Sequence, residues 1–191
     1  MIHDIIVEQL PYINELIQRH SKEIIEAHYT MSRTQYCNLN GDVSILDDCI
    51  ATVSKNVGDI HQVLRKGGSA GIKTNGIEHY SPYMARIAKY ILDLVECDDT
   101  SHITLHVFES KDTTQSFPMH TDPADVVLCM LAGSKTLNLD TDTGVLAHKV
   151  SPDTPLYIPM NVPHEAINHE DNIMLSIGIE RYTIEHIERE G

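Results

Sequence analysis

The sequence predicts an α+β fold in which helices cover an antiparallel barrel or jelly-roll sandwich, and three observations predict it. Apolar residues recur at helical steps near the start of the chain and again after Ser81. Beyond Thr100 the apolar period drops to two. From there short apolar runs alternate with turn signals at near-regular spacing.

From Ile2 to about Tyr29, residues Ile5, Ile6, Leu10, Ile13, Leu16, Ile17, Ile24 and Ile25 recur mostly at steps of three, four and seven. That is an amphipathic helix, which Pro11 is expected to kink or split. Asn38 to Asp42 reads as a turn. Val57 to Lys66 reads as a short helix ending at Gly67-Gly68, and the small residues that follow read as a flexible loop. They lack the Gly-Lys-Ser/Thr ending of a phosphate-binding loop. Ser81-Pro82 supplies an N-cap and a first helical residue for a helix whose stripe runs through Met84, Ile87, Ile91 and Val95, with Asp98-Asp99 as its end.

Ile103, Leu105 and Val107 then alternate with Thr104, His106 and Phe108 as a half-buried strand. Further strands are expected at 126–131, 135–139, 145–150, 156–158 and 173–179, separated by turn residues. The 191 residues suit a single domain, 1–191, with a mainly helical part over 1–100 and a β core over 101–182.

With 14 Lys and Arg against 28 Asp and Glu, the formal charge of −14 argues against a nucleic-acid partner and would draw a basic peptide or protein. The four cysteines form no CxxC pair. Cys129, inside an apolar run, reads as a small buried hydrophobe. The start carries no basic leader, and no apolar run approaches the roughly 18 residues that span a membrane. A cytoplasmic protein with no membrane partner is the expectation. The amphipathic helices can cover the barrel or a second copy of the chain, which leaves a homodimer open.

The chemistry concentrates around Phe117 to Pro123. His120 and Asp122 are two positions apart and so share a side of an extended segment, and His164 follows 44 residues after His120. Each alone has a plain structural reading, such as an Asx turn at Asp122-Pro123. Together, two imidazoles and a carboxylate leave about three octahedral positions open on a metal, as in non-haem Fe(II) oxygenases. A 2-oxoglutarate co-substrate chelating that metal would need a cation for its distal carboxylate. Lys135, after Gly133-Ser134, is the candidate. His106 reads as a core or barrel-lining residue, and Asn168 or Glu165 could orient an imidazole.

The run His120-Thr121-Asp122-Pro123-Ala124-Asp125-Val126-Val127, then Gly133-Ser134-Lys135, then Leu156 to Glu165 and Ser176-Ile177-Gly178, resembles the JmjC and cupin-like 2-oxoglutarate oxygenases. It is nearest to the bacterial ribosomal oxygenases, which hydroxylate an arginine of a ribosomal protein. The resemblance spans about Thr104 to Ile179 and implies a double-stranded β-helix (cupin/jelly-roll) core with the N-terminal helices packed outside. It implies Fe(II) held by His120, Asp122 and His164, with 2-oxoglutarate and O2 as co-substrates. It also implies a co-substrate carboxylate held by Lys135, fifteen positions after His120, with Ser176 lining the same pocket. The implied reaction hydroxylates an amino-acid side chain of a peptide or protein, or a related small molecule, releasing succinate and CO2. Lys135 stands where the bacterial ribosomal enzymes have arginine, and the family's dimerisation and winged-helix modules have no counterpart expected here. A metal cupin of another class, an isomerase or thiol dioxygenase, and a non-catalytic binding module are the competing readings. Substrate contacts are expected from Asn56 to Tyr80, from Lys111 to Pro118, and from Phe117 and Met119 beside the site.

Overall fold

The computed structural model describes residues 2–38, 50–52, 61–66, 69–79, 81–95, 101–110 and 119–181. Helices α1 (Ile2–Arg19) and α2 (Ser21–Asn38) open the chain. The break falls at His20, where the amide turns back to the Ile17 carbonyl, and not at Pro11. Pro11 is tolerated because it and Val7, whose carbonyl loses its intrahelical donor, both lie on the solvent side, where water replaces the bond. α3 (Pro82–Leu94) begins as its sequence predicts, with the Ser81 hydroxyl accepting from the Met84 amide and proline in the first turn.

Three short strands precede the β-rich part: β1 (Ile50–Thr52), β2 (His61–Lys66) and β3 (Ser69–Asn75). Two expectations are thereby corrected. His61–Lys66 is a strand rather than the end of a helix, and Ser69–Asn75 is a strand rather than a loop. The i, i+3 spacing of Ile60, Val63 and Leu64 reads as helical, but β2 forms a full antiparallel ladder with β3, from His61 opposite Thr74 to Lys66 opposite Ser69. That ladder overrides local periodicity. The expected turn at Asn38 to Asp42 falls mostly outside the described residues. So do Gly67-Gly68, Asp98-Asp99 and the segment Lys111 to Pro118, including Phe117.

The remaining strands are β4 (Ser101–Ser110), β5 (Asp125–Ala132), β6 (Lys135–Thr141), β7 (Gly144–Val150), β8 (Leu156–Ile158), β9 (His164–Asn168) and β10 (Asn172–Arg181). All pairings are antiparallel: a seven-stranded sheet in the order β1-β2-β3-β4-β10-β5-β8 and a three-stranded sheet in the order β7-β6-β9. β9 was not expected. Its two isolated apolar residues, Ala166 and Ile167, give no strand-like alternation.

Two apolar layers fix the architecture. One lies between the helices and the outer face of the large sheet, where Ile6, Ile13, Ile17, Ile24 and the α3 stripe meet Leu105, Val107, Cys129, Leu175 and Ile177. The other joins the two sheets, through Val126, Leu128, Met130 and Met174 on one side and Leu137, Leu139 and Val150 on the other. β5 is buried on both faces, which is why its sequence is a continuous apolar run without alternation. Full burial pushes the Cys129 thiol up to about 12, so it behaves as a hydrophobe. No helix among the described residues is long and apolar enough to cross a membrane.

The turn from β5 to β6 is tightly constrained. Gly133 has φ of +67°, and a Cβ there would lie 2.4 Å from the Asp171 carbonyl oxygen. Gly133→Ala is expected to cost about 2–4 kcal/mol, strain and overpacking together, measured by denaturant unfolding. A cost below about 0.5 kcal/mol would contradict the tight approach of this turn to β10.

Candidate metal centre

The His120 amide donates to the His164 carbonyl at 3.0 Å, and the His164 amide returns the bond at 2.8 Å. Residues that exchange both bonds sit directly opposite with side chains on one face, so the two imidazoles are adjacent, with ring centroids 4.4 Å apart. Asp122, two residues beyond His120, projects to the same side. Its carboxylate oxygens lie 3.8 Å from His120 Nε2 and 3.5 Å from His164 Nε2. One ligand-capable atom from each of the three residues falls within 4.8 Å of the others, a spacing a single cation can bridge.

The segment carrying His164 is held from several sides. Asp125, 2% exposed, accepts the Met160 amide at 2.9 Å, and the Asp122 carbonyl accepts the Asn161 amide at 3.0 Å. Asn161 adopts φ of 63°, the left-handed turn that redirects the chain toward Pro163. The Pro163 carbonyl accepts the Asp140 amide at 2.8 Å. The His164 Nδ1 lies 2.9 Å from the Val162 carbonyl, which makes Nδ1 the protonated nitrogen and leaves Nε2 turned to Asp122. The orienting group is therefore a main-chain carbonyl. Glu165 instead accepts from Asn138, and Asn168 accepts from Asn172.

Electrostatics favour an ionised Asp122. The His164 hydrogen bond holds its carboxyl below the usual range, with the charges of His164, His120 and Lys73 adding to that and burial opposing it. Burial works to lower the His164 pKa, but the Asp122 hydrogen bond, the Val162 carbonyl and the Asp122 charge outweigh it, and the net shift is upward.

Two connected cavities meet at the triad. The inner, about 60 Å³, has apolar walls that include Leu128, Leu137, Ala166 and Met174. The outer, about 350 Å³, opens outward between Lys73, Thr104, His106, Ser176, Gly178 and Glu180. Phe108, His120, Asp122, Val126 and Ser176 line both. Ser176 lines both cavities, whereas Lys135 lines neither. Ser176 is paired in register with His106 on β4 and Leu128 on β5.

Lys135 is 1% exposed, on the inward face of β6 with Leu137 and Leu139. Its Nζ is fully buried with no hydrogen-bond partner among the described residues, and burial pushes its pKa down to about 8. On β6, Leu139 pairs with His164 and Lys135 with Asn168, so Lys135 sits four residues along the ladder from the triad, about 13 Å of strand. Two further residues were not anticipated as site residues. Lys73 reaches the outer cavity from β3, with its ammonium 5.3 Å from the Phe108 ring centroid, and its charge acts on Asp122 and His106. His106 lines the same cavity, its Nδ1 buried without a hydrogen-bond partner among the described residues.

No protein-family model and no curated protein matches this sequence. Among solved structures, the Escherichia coli ribosomal oxygenase YcfD is similar at 16% identity over 68% of this chain and 42% of that chain, with a TM-score of 0.54. YcfD in complex with cobalt and succinic acid is similar at 15% identity, over 68% of this chain and 41% of that one, TM-score 0.52. In complex with cobalt and 2-oxoglutarate the figures are 17%, 65%, 36% and 0.51. The chain spans about two fifths of the length of these structures. At such identities the likeness is one of fold alone, over about two thirds of this chain.

Proposed function

We propose that this protein is an Fe(II)- and 2-oxoglutarate-dependent oxygenase built on a double-stranded β-helix core. It hydroxylates an amino-acid side chain, in a peptide, a protein or a related small molecule, with release of succinate and CO2. The observation that carries the reading is Lys135. An ammonium sealed between two sheets without an anion is costly, and a fold retains it where a ligand supplies the anion. The donor set fits the metal equally well, because two imidazoles and one carboxylate suit Fe(II) and leave adjacent positions for a chelating acid. The bound metal and its co-substrate supply the activation of O2 that an unactivated C–H bond requires.

The chain's own residues do the rest. His120, Asp122 and His164 hold the metal at the junction of the two cavities, and the Val162 carbonyl keeps His164 Nε2 aimed at it. Lys135 pairs with the distal carboxylate of the co-substrate. The strand interval between it and the triad is one that a lysine stem and a five-carbon diacid span together. Leu128, Leu137 and Met174 give the inner cavity beside the triad apolar walls, a low-dielectric setting for the co-substrate's charges. The outer cavity then receives the substrate beside the metal. The overall acidity of the chain supports attraction of a basic peptide or protein from a distance.

Purified protein supplied with Fe(II), ascorbate and 2-oxoglutarate is expected to form succinate, a reaction lost in Asp122→Ala. Absence of metal-dependent succinate formation in the wild type, together with no binding of Mn(II) plus N-oxalylglycine, would falsify the reading. Lys135→Met is expected to weaken N-oxalylglycine binding at least about 100-fold while raising the stability of the ligand-free protein by about 1–4 kcal/mol. A variant that binds N-oxalylglycine normally would favour a metal-dependent cupin of another reaction class, or a binding module.

A further inference from the structure

The strands that end the two sheets differ in length and cover. β1 and β8, at the ends of the large sheet, have three residues each, and β9 is flanked by the His120 bridge. β7 has seven residues and, among the described residues, a strand partner on one side only. Its ladder with β6 runs without a bulge from Lys135 opposite Val150 to Thr141 opposite Gly144. Thr141 and Gly144 close a two-residue turn and exchange both main-chain bonds. Alternation then turns the amides and carbonyls of Val145, Ala147 and Lys149 to the open edge. Neither a proline nor a bulge blunts this edge, and Lys149 is its only formal charge.

The end of the hairpin is apolar on both faces. Leu146 pairs with Leu139 and shares its inward side, yet Leu139 is 7% exposed and Leu146 is 46% exposed. Val145, on the outer side, is 60% exposed. The hairpin therefore reaches past the cover of the large sheet, and burial of these two side chains is left for a partner to complete.

Charge selects the partner. Antiparallel pairing of β7 with a second β7, centred on Ala147, uses all three outward residues of each copy and sets Lys149 of one opposite Val145 of the other. Val145 is itself opposite Asp140 in the ladder, on the same outer face as Lys149. The Lys149 ammonium then lies two strand spacings, about 10 Å of backbone, from Asp140 of the other copy, a span the two side chains cover together. The two-fold repeats this contact, and each copy spends its one long open edge, so the assembly closes at two.

We infer that β7 is a homodimer interface, through which two copies join their β6–β7 hairpins edge to edge in one continuous sheet. The inference stands apart from the oxygenase reading, because none of Val145 to Lys149 lines either cavity at the triad. A single strand edge covers less than the roughly 1,200 Å² of a standard interface, so a Kd on the order of 10–100 μM is expected.

The test is sedimentation of the full chain at about 0.15 M salt, where the formal charge of −14 on each copy is screened beyond about 8 Å. A reversible monomer–dimer equilibrium is expected between roughly 1 μM and 1 mM. Ala147→Cys places a cysteine on the two-fold, where a Cα separation of about 5.5 Å suits a disulfide, and glutathione disulfide should link it into dimers that the wild type does not form. Val145→Glu should dimerise at least about fivefold more tightly than Val145→Lys, since each new side chain faces Lys149 of the other copy. Net charge alone gives the opposite order, because the glutamate variant is the more negative. A single monomeric species up to about 1 mM overturns the proposal, and it is read on the wild type whatever the variants do. A dimer that Ala147→Cys does not link, or equal affinities for the two Val145 variants, also overturns it and assigns the association to another surface, such as the helices. Open-ended assemblies in place of a dimer overturn the closed two-fold.

Discussion

Two main-chain hydrogen bonds between His120 and His164 are the constraint on which the site depends. They join segments 44 residues apart and put two imidazoles on one face, and the two-residue period of extended chain then delivers Asp122 to the same place. The anchoring of the 159–163 turn on Asp125, Asp122 and Asp140 keeps that pair in register. A one-residue slip would turn His164 away from the triad, so the unusual backbone at Asn161 and the two flanking prolines are tied directly to the chemistry.

Charge arrangement is the second organising feature. The inner apolar layer between the sheets would be complete without Lys135. Burying a lone ammonium there sacrifices stability, and in the proposed function an anionic ligand would complete that position. Beside Lys73 and Asp122 on the outer cavity, burial pushes His106 down to about 4, with the Lys73 charge adding to the effect. The imidazole therefore faces the outer cavity as a neutral hydrogen-bonding group across the physiological range. In the proposed function the site would be graded from a sealed cation at Lys135, through the triad, to a mixed polar mouth.

Much of this was legible in the sequence, and the reasons are specific. Alternation marked β4, a continuous apolar run marked β5, an apolar-rich segment between turn residues marked β10, and the Ser-Pro start marked α3, because in each the local pattern and the tertiary environment agree. The triad was legible because its two halves lie beside prolines at the ends of strand-like runs. What escaped notice depended on pairing. β2 and β3 become strands through each other and through β4, so Lys73 gave no sign of facing the site, and β9 is a strand by virtue of its ladder with β6. His106 was recognised as facing inward, but only the register with Ser176 places it at the mouth. The Val162 carbonyl that orients His164 has no side-chain signature at all.

The most direct test of the account is a crystal structure with Mn(II) and N-oxalylglycine bound. The account predicts one metal ion on His120, on an Asp122 oxygen and on His164 Nε2, with the inhibitor's distal carboxylate paired to Lys135 Nζ and the Lys73 ammonium left to the outer cavity. A metal bound elsewhere, or an inhibitor carboxylate seated on Lys73 with Lys135 still unpaired, would contradict it.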